Sequence, residues 1–551
     1  MPSRRYFMQQ TALGGAGLLL APLAGLHSCA PGTGRGHISG SMHGANHATG
    51  HLLRDPARLP APTRTEVVEV LIVGGGVAGL AARRELERQG LRPEQILLVE
   101  LDEQPGGNSR AGRSAVSAYP WGAHYLPVPD VRNHALLTFL REAGVITGFD
   151  AASGLPVYNE YHLCHDPEER LFIRGHWQTG LVPELGVPAA EKEQIARFFR
   201  LIDELRQTVG QDGRDAFRIP VQESSGDAQF RRLDDVSFAA YLDEQGFISP
   251  HLRWYLDYSC RDDYGASAAQ VSAWAGLHYF ASRKGHAHNA GSADVLTWPQ
   301  GNGFLAEQLR QQARSPLRPD TVAYALHDRP TGLAVDCYHV PSRRTTRVEA
   351  RRVIMATPLF ITERLLAGLP PAAHRTLPCH RAPWVVVNLT VPGLPQGPGQ
   401  PLSWDNVLYG AQSVGYVDAG HQRLSLSDAA PRVVTWYLPL SAPDPATARR
   451  QAYQTSYDEW VRRTLAELET AHPGLTPLVE RADVWVWGHG MVAPTPGFVW
   501  GAARAAAAQP WQQKLFLAHT DLSGISLFEE GFYQGIRAAR EVLAASGVVL
   551  A

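Results

Sequence analysis

The sequence predicts an α/β fold: a discontinuous, Rossmann-like dinucleotide-binding domain with an interleaved α+β substrate domain built from the stretches between its parts. Three observations carry this. An apolar, β-branched run at residues 66–73 is followed at once by a glycine-rich turn, a helical pattern and a second apolar run that ends in Glu100. Strand-like runs return far downstream, at residues 352–358 and 515–521. A chain of 551 residues with 44% hydrophobic content exceeds what one core holds, so two domains are the default.

The run Glu66-Val67-Val68-Glu69-Val70-Leu71-Ile72-Val73 has the composition of a strand buried on both faces. In the following Gly74-Gly75-Gly76-Val77-Ala78-Gly79, Gly74 permits the tight turn and Gly76 lets the backbone approach a pyrophosphate. Gly79 lets the next helix pack close to the strand. That helix, residues 77–89, aims the N–H groups of Val77 and Ala78 and its positive dipole end at the pyrophosphate, and stops at Gly90. The strand at residues 95–100 delivers Glu100 to a ribose diol. An acid favours a ribose hydroxyl over a ribose phosphate, so FAD or NAD is preferred to NADP.

Past Glu100 the chain reads Gln104-Pro105-Gly106-Gly107-Asn108-Ser109-Arg110, then Tyr119-Pro120-Trp121-Gly122-Ala123-His124-Tyr125. Downstream follow Trp298-Pro299-Gln300-Gly301-Asn302-Gly303-Phe304, Arg352-Val353-Ile354-Met355-Ala356-Thr357-Pro358, Leu515-Phe516-Leu517-Ala518-His519-Thr520-Asp521 and Gly531-Phe532-Tyr533-Gln534-Gly535. In this order the pieces resemble the flavin-containing amine oxidase superfamily, whose members include monoamine and polyamine oxidases, protoporphyrinogen oxidase and phytoene desaturases. The resemblance spans roughly residues 66–545, strongly at both ends and faintly between.

It implies FAD rather than NAD. Gly106 and Gly107 would take the family's Gly-Gly-Arg element, with Asn108 in the usual Arg place and Arg110 taking over a phosphate contact. Gly122, Ala123 and His124 would back the isoalloxazine, Val322 would pass the adenine in a hairpin, and Ala356 would close the strand that ends in Ala-x-Pro. Asp521 would meet the ribityl-phosphate region, and Phe532 and Tyr533 would stand at the helix that faces flavin O2. Relatives with covalent flavin attach it to a Cys before that helix; residues 522–526 contain none, so the FAD is expected to be noncovalent.

The expected organisation is a signal at 1–29, a linker at 30–65, FAD-binding segments at 66–150, 296–360 and 486–551, and substrate-domain segments at 151–295 and 361–485. Ser3-Arg4-Arg5-Tyr6-Phe7 ahead of a mild apolar stretch reads as a twin-arginine export signal, which carries proteins already folded, here to the periplasm. Leu26-His27-Ser28-Cys29 resembles a lipobox, which would lipidate Cys29 and anchor the chain to a membrane. Residues 31–62, with His37, His43, His47 and His51, read as a solvated tether or as a metal site on a transient helix. The scattered Cys164, Cys260, Cys337 and Cys379 argue against a metal cluster or disulfide framework, and no metal is expected. A formal charge of −2 offers no surface for nucleic acid or an acidic membrane face, leaving a small-molecule substrate as the expected partner.

In the substrate segments, Ile195, Phe198, Phe199, Ile202 and Leu205 mark an amphipathic helix, residues 237–246 a second helix, and residues 384–391 a strand of the sheet that roofs the flavin in this family. Many amine oxidases place a Lys at the start of that strand to assist reaction with oxygen. Here none lies near Trp384, so the acceptor is oxygen served by another group, Lys284 being the one candidate, or a quinone or redox protein. The cluster Ser259-Cys260-Arg261-Asp262-Asp263-Tyr264, with Trp274, His278 and Tyr279, reads either as a buried ion network or as substrate recognition, an acid meeting a cation and Arg261 an anion. Trp485, Trp487 and His489 would line the substrate cavity or simply pack. His124, with Tyr125 and Tyr533, is the candidate catalytic set, His124 as a base beside the ring or as a packing histidine.

The expected reaction is hydride transfer from a carbon next to nitrogen, in a small amine or polyamine, to flavin N5. The rivals are a desaturase or isomerase of a lipid or polyene, which needs a long apolar tunnel rather than an acid or aromatic cage, and an FAD-binding protein without turnover.

Overall fold

The computed structural model describes residues 37–423 and 430–547. The twin-arginine motif and the Cys29 lipobox lie outside the described residues. The elements that position the site are, in chain order, β1 (Ser39–Gly44), β2 (Arg64–Val73), α1 (Val77–Arg88), β3 (Ile96–Val99), β4 (Glu169–Ile173), β5 (His176–Thr179), α2 (Pro250–Tyr264), β6 (Leu317–Arg318), β7 (Thr321–Arg329) and β8 (Gly332–His339). They continue with β9 (Arg344–Met355), β10 (His380–Val391), β11 (Asp405–Leu408), β12 (Tyr416–Asp418), β13 (Arg432–Pro439), β14 (Arg481–Ala493), β15 (Leu515–Leu517) and α3 (Phe528–Ala545).

The first sheet has seven strands in the order β6-β3-β2-β9-β8-β7, with β15 also on β9. β2 is parallel to β3 and to β9, and β15 is parallel to β9, so the apolar runs at 66–73, 352–355 and 515–517 lie side by side. Val70, Leu71, Ile72, Ile96, Leu98, Val353 and Ile354 are fully buried, as continuous β-branched and Leu runs require when helices cover a parallel sheet. One cover is the pair α1 and α3. A Cβ on Gly535 would sit 2.1 Å from the Ala78 carbonyl oxygen, so α3 rests on the backbone of α1. α3 starts three residues before the expected Gly531, which puts Glu529 and Glu530 in its first turn.

The second sheet has eight strands in the order β1-β14-β10-β13-β12-β11-β4-β5. Its two faces have different partners. Leu171, Val407, Tyr437, Trp384, Trp485 and Trp487 share one core with Trp121, while Val385, Leu408, Trp436, Val484 and Val486 pack on the other face around Trp460. The expected helices are present as Ala189–Gln207 and Phe238–Glu244, the latter capped by Ser237.

The His-rich segment departs from the tether reading. Ser39–Gly44 forms β1, which pairs parallel to β14 from Ser39 on Arg481 to Gly44 on Val486, and short helical turns follow at His47–Gly50 and His51–Arg54. The free sheet edge beside β14 explains this: it offers a row of backbone donors and acceptors to any extended neighbour. His43 stacks on Trp485 at 6.0 Å and lies 3.8 Å from the Asp483 carboxylate. Among the described residues no group of His, Cys, Asp and Glu converges to hold a metal, the four cysteines are free, and no helix is long and apolar enough to cross a membrane.

The α1–α3 contact yields a test. Gly535→Val should separate the helices and lower stability by about 1–3 kcal/mol, measured by chemical denaturation, because the obstacle is backbone and cannot rotate away.

Candidate functional site

At the carboxyl end of β2, Gly74 has φ +107°, and a Cβ there would meet the Ala356 carbonyl at 2.7 Å, so Ala356 backs the turn from β9. A Cβ on Gly79 would strike the Gly74 carbonyl at 1.9 Å. Gly76 is different. It has an ordinary extended backbone, φ −71° and ψ −178°, and its Cβ direction meets nothing within 4 Å. It caps α1 without a side chain to satisfy the first-turn N–H groups, those of Val77 and Ala78 included. A glycine with neither conformational nor steric need, at a bare helix N-terminus, fits a berth for a phosphate.

Glu100 closes the same end. Its carboxylate accepts from the backbone N–H of Gly75 and, at 2.9 Å, from that of Asp102. Burial pushes this carboxyl up. Val322 lies beside it in β7, buried, next to Thr321, whose N–H donates to the Glu100 carbonyl at 2.8 Å. Gly106, with φ +127°, donates to the Gly75 carbonyl at 2.8 Å, and Gly107 follows with φ +57°. These residues form one cradle, and the chemistry of the set fits a dinucleotide: backbone donors for the pyrophosphate, a carboxylate for the ribose.

From the cradle the chain runs along β14. The Asn108 side-chain amide donates to the Gly490 carbonyl, which explains an Asn where the family carries Arg. Arg110 pairs with Asp102 at 2.9 Å and stacks over Trp485 at 4.9 Å, so its guanidinium serves the protein rather than the expected phosphate. The Asn108 carbonyl accepts from Ala123 at 3.3 Å and leaves no room for a Cβ on Gly122, 2.5 Å away. Trp487 donates its indole N–H to the Trp121 carbonyl at 2.6 Å. Trp487 therefore holds the 119–125 segment in place rather than contacting substrate.

His124 stacks on Tyr437 at 4.6 Å and lies 5.6 Å from Trp404. Burial pushes its imidazole down to about 4, so it is neutral at physiological pH and carries no cationic role. Tyr125 donates to Asp263 at 3.3 Å and accepts from Arg283 at 3.0 Å, and Arg283 also pairs with Asp263 at 3.1 Å. Tyr125 is thus committed to a buried ion network.

The acid cluster on α2 divides by helix face. Arg261 binds Asp257 at 3.0 Å and the Gln412 carbonyl at 2.8 Å, beside an outer cavity of about 780 Å³ on the Trp436 face of the sheet. The expected anion contact of Arg261 is therefore corrected: the guanidinium is used structurally. Tyr264 is fully buried and donates to the Ala275 carbonyl at 2.9 Å, so it is corrected likewise. Asp262 is half-buried without a hydrogen-bond or ion-pair partner, and its charge is felt by Tyr258, one turn earlier on α2, and by Tyr437, which stacks on His124. Burial and the charges of Asp263 and Glu169 push its carboxyl up to about 7.

Other expected residues lie elsewhere. His489 is exposed against Phe360, 4.4 Å away, near Arg381 and Asp521 rather than in the chamber. The Phe532 ring packs on Phe139 at 5.4 Å in the core under the first sheet, and Tyr533 lies toward Glu223 and Arg537. Lys284 binds Asp215 at 2.9 Å and is corrected as a helper for oxygen. His278 donates its Nε2–H to the Arg218 carbonyl, 2.9 Å away, and packs on Trp274. Asp521 is buried, accepts from the Leu359 N–H at 2.8 Å, and pairs with Arg381 at 2.5 Å and with His519 at 3.3 Å. These partners hold its carboxyl well below the usual range.

Comparison with known proteins agrees with this geometry. A family model described as an NAD(P)-binding Rossmann-like domain matches residues 72–143. Over 81 residues the chain is 42% identical to AofH of Mycobacterium tuberculosis, named as a flavin-containing monoamine oxidase, covering 14% of this chain and 16% of that relative. The match thus spans about a sixth of the relative's length. A putrescine oxidase structure, of a double mutant, superposes with a TM-score of 0.61 at 16% identity, covering 87% of this chain and 100% of that one. Cyclohexylamine oxidase from Brevibacterium oxydans gives 0.60 at 16% identity, over 87% and 99%. The chain has the amine-oxidase fold. At that identity the likeness speaks for the architecture, including the excursions between the parts of the nucleotide domain.

Two outcomes test the site. Gly76→Val should leave the stability of flavin-stripped protein within about 1 kcal/mol while abolishing co-purification of flavin, read by absorbance, since its side chain would fill only the phosphate berth. Asp521→Asn should cost about 3–5 kcal/mol at pH 7 in chemical denaturation, by stranding Arg381. Because the folded carboxyl is depressed, its stabilisation is complete above the ordinary Asp range, about 3.9, and the gap to the variant should close as pH falls below it.

Proposed function

We propose that the protein is an FAD-dependent oxidoreductase acting on a small amine at the carbon next to nitrogen. The observation that carries this reading is Asp262, a half-buried acid without a salt-bridge partner whose charge reaches Tyr258 and Tyr437, the latter stacked on His124 within one aromatic cluster that also holds Trp404. An acid within aromatic rings recognises an ammonium by charge and by the ring quadrupole. A polyene would need an apolar tunnel, which an unpaired carboxylate opposes.

The cradle of Gly74, Gly76, Gly79, Glu100 and Gly106 would hold the dinucleotide, with Asp521 and the 122–124 segment further along, and no covalent link is invoked. Bound there, FAD supplies a two-electron acceptor for hydride, so that an amine leaves as an imine that water hydrolyses. The protein's own contribution is to bind and orient. Asp262 attracts the ammonium, neutral His124 and Tyr437 wall the chamber without adding a competing cation, and the packed tryptophans of β14 exclude bulk water. Export of the folded protein to the periplasm by the twin-arginine route belongs to the same reading and rests on the N-terminal sequence. Oxygen, a quinone or a redox protein would take the electrons onward.

An anaerobic titration of the flavin bands near about 450 nm with monoamines, diamines and amino acids tests the proposal. Bleaching by an amine class is expected, and readmission of air then reports whether oxygen is the acceptor. Flavin that no amine bleaches would sink the amine reading.

A further inference from the structure

The segment ahead of β2 touches the cradle from both sides. Its first leg is β1, in register on β14 from Ser39 to Gly44. Asp483 of β14 is the fastening point. Its carboxylate accepts the Ser41 N–H at 3.2 Å and the Ser41 hydroxyl at 3.1 Å, is gripped on both oxygens by Arg481 at 2.6 Å, and takes the Tyr119 hydroxyl. The Tyr457 hydroxyl lies within 3.2 Å of the carbonyls of Ile38, Ser39 and Ala482. The His43 ring rests 5.1 Å from Trp121 and 6.0 Å from Trp485. Tyr119 and Trp121 lead straight into Gly122, which is seated on the Asn108 carbonyl, and Gly107, just before Asn108, lies against Gly76 at the phosphate berth.

The second leg crosses to the ribose side. The Asn46 backbone N–H donates to the Asp102 carboxylate, and after the short turn His47–Gly50 the chain lies against Leu101, the residue that follows Glu100. Asp102 is also the residue whose N–H Glu100 accepts and whose carboxylate Arg110 holds. Leu53 then packs on the first-sheet core that contains Val73 and Val99, and Tyr324 donates to the Pro60 carbonyl at 3.1 Å. Covering the edge of β14 needs only the first leg. The second ties that edge to the carboxyl end of β3, so one continuous segment bridges the phosphate and ribose sides of the cradle. It is also built to open. None of residues 37–58 is buried, so surface hydrogen bonds and ring contacts hold it, the pattern of a segment that detaches while the core stays folded.

We propose that residues 38–54 form a clasp over the dinucleotide, so that bound FAD enters and leaves only when β1 lifts from β14. The inference rests on the FAD reading above. A noncovalent flavin is kept only by slow release, and a gate that bars the exit substitutes kinetically for a covalent link. Because the same gate bars entry, it governs the two rates more than the affinity.

The test uses FAD-loaded parent, the Gly40→Val variant and the double variant Ser41→Cys/Asp483→Cys. A Cβ on Gly40 would strike the Ala482 carbonyl at 1.6 Å, so Gly40→Val lifts β1. The Ser41 and Asp483 side chains already meet across the paired strands, so the two cysteines are placed to lock β1 when oxidised and to free it on addition of dithiothreitol. Release of FAD on dilution is followed by the rise in flavin fluorescence, and rebinding to stripped protein by its quenching. In Gly40→Val both rates should rise by about tenfold or more while the dissociation constant changes by less than about threefold. In the oxidised double variant both should fall by about tenfold or more and recover on reduction. Should Gly40→Val fail to fold, the double variant compared with itself, oxidised and reduced, carries the test alone. Faster release with unchanged rebinding, and so an affinity lost in proportion, marks β1 as structural support and overturns the clasp, as do equal rates in all forms. FAD that exchanges as expected but is reduced by no amine sinks the amine reading and leaves the clasp standing. Protein that takes up no FAD overturns both the clasp and the FAD reading.

Discussion

Three backbone contacts that leave no space for a Cβ hold the nucleotide end of this molecule together. Gly79 lies against the Gly74 carbonyl, Gly74 against the Ala356 carbonyl, and Gly535 against the Ala78 carbonyl. They bring segments from residues 74–79, 356 and 535 to one place, although hundreds of residues separate them. The parallel pairing of β2, β9 and β15 supplies the same convergence from below. Everything else in the site depends on this, because Glu100, Asp521 and the 122–124 segment are aligned only while these strands and helices stay in contact.

The distribution of ionic partners sorts structural acids from functional ones. Asp263, Asp521, Asp418 and Asp215 each hold a cation within 3.1 Å, and the Asp521 and Asp215 pairs tie segments distant in sequence. Asp262 holds none, although it is half-buried beside Tyr258 and Tyr437. His124, neutral because it is buried, fits the same logic: a protonated imidazole would compete for that acid.

The N-terminal segment shows how an edge is settled. β14 would present an open row of donors and acceptors beside the tryptophans that pin the 119–125 segment, and β1 covers it. The Gly/Ser/His composition that suggested a solvated tether is what lets this strand lie flat. A Cβ on Gly40 would strike the Ala482 carbonyl at 1.6 Å.

Local chemistry made the nucleotide domain legible. The buried strand composition at 66–73, the glycine spacing at 74–79 and the acid at Glu100 each act over a few residues, and the resemblance carried the three-part organisation. On the acid cluster the sequence left two readings: Arg261 and Asp263 sit in ion pairs, while Asp262 has none. Helix phase decided between them, since residues 257 and 261 face one way and 258 and 262 the other. Tyr264 points into the core and bonds the Ala275 carbonyl, because a motif gives neighbourhood but not the direction in which a side chain points. By itself the sequence determined the dinucleotide cradle, whose parts are contiguous and whose geometry follows from glycine and helix-end physics. Only the tertiary structure decided the surroundings of Asp262, because Tyr258, Tyr437 and His124 lie on segments far apart in sequence and meet through packing.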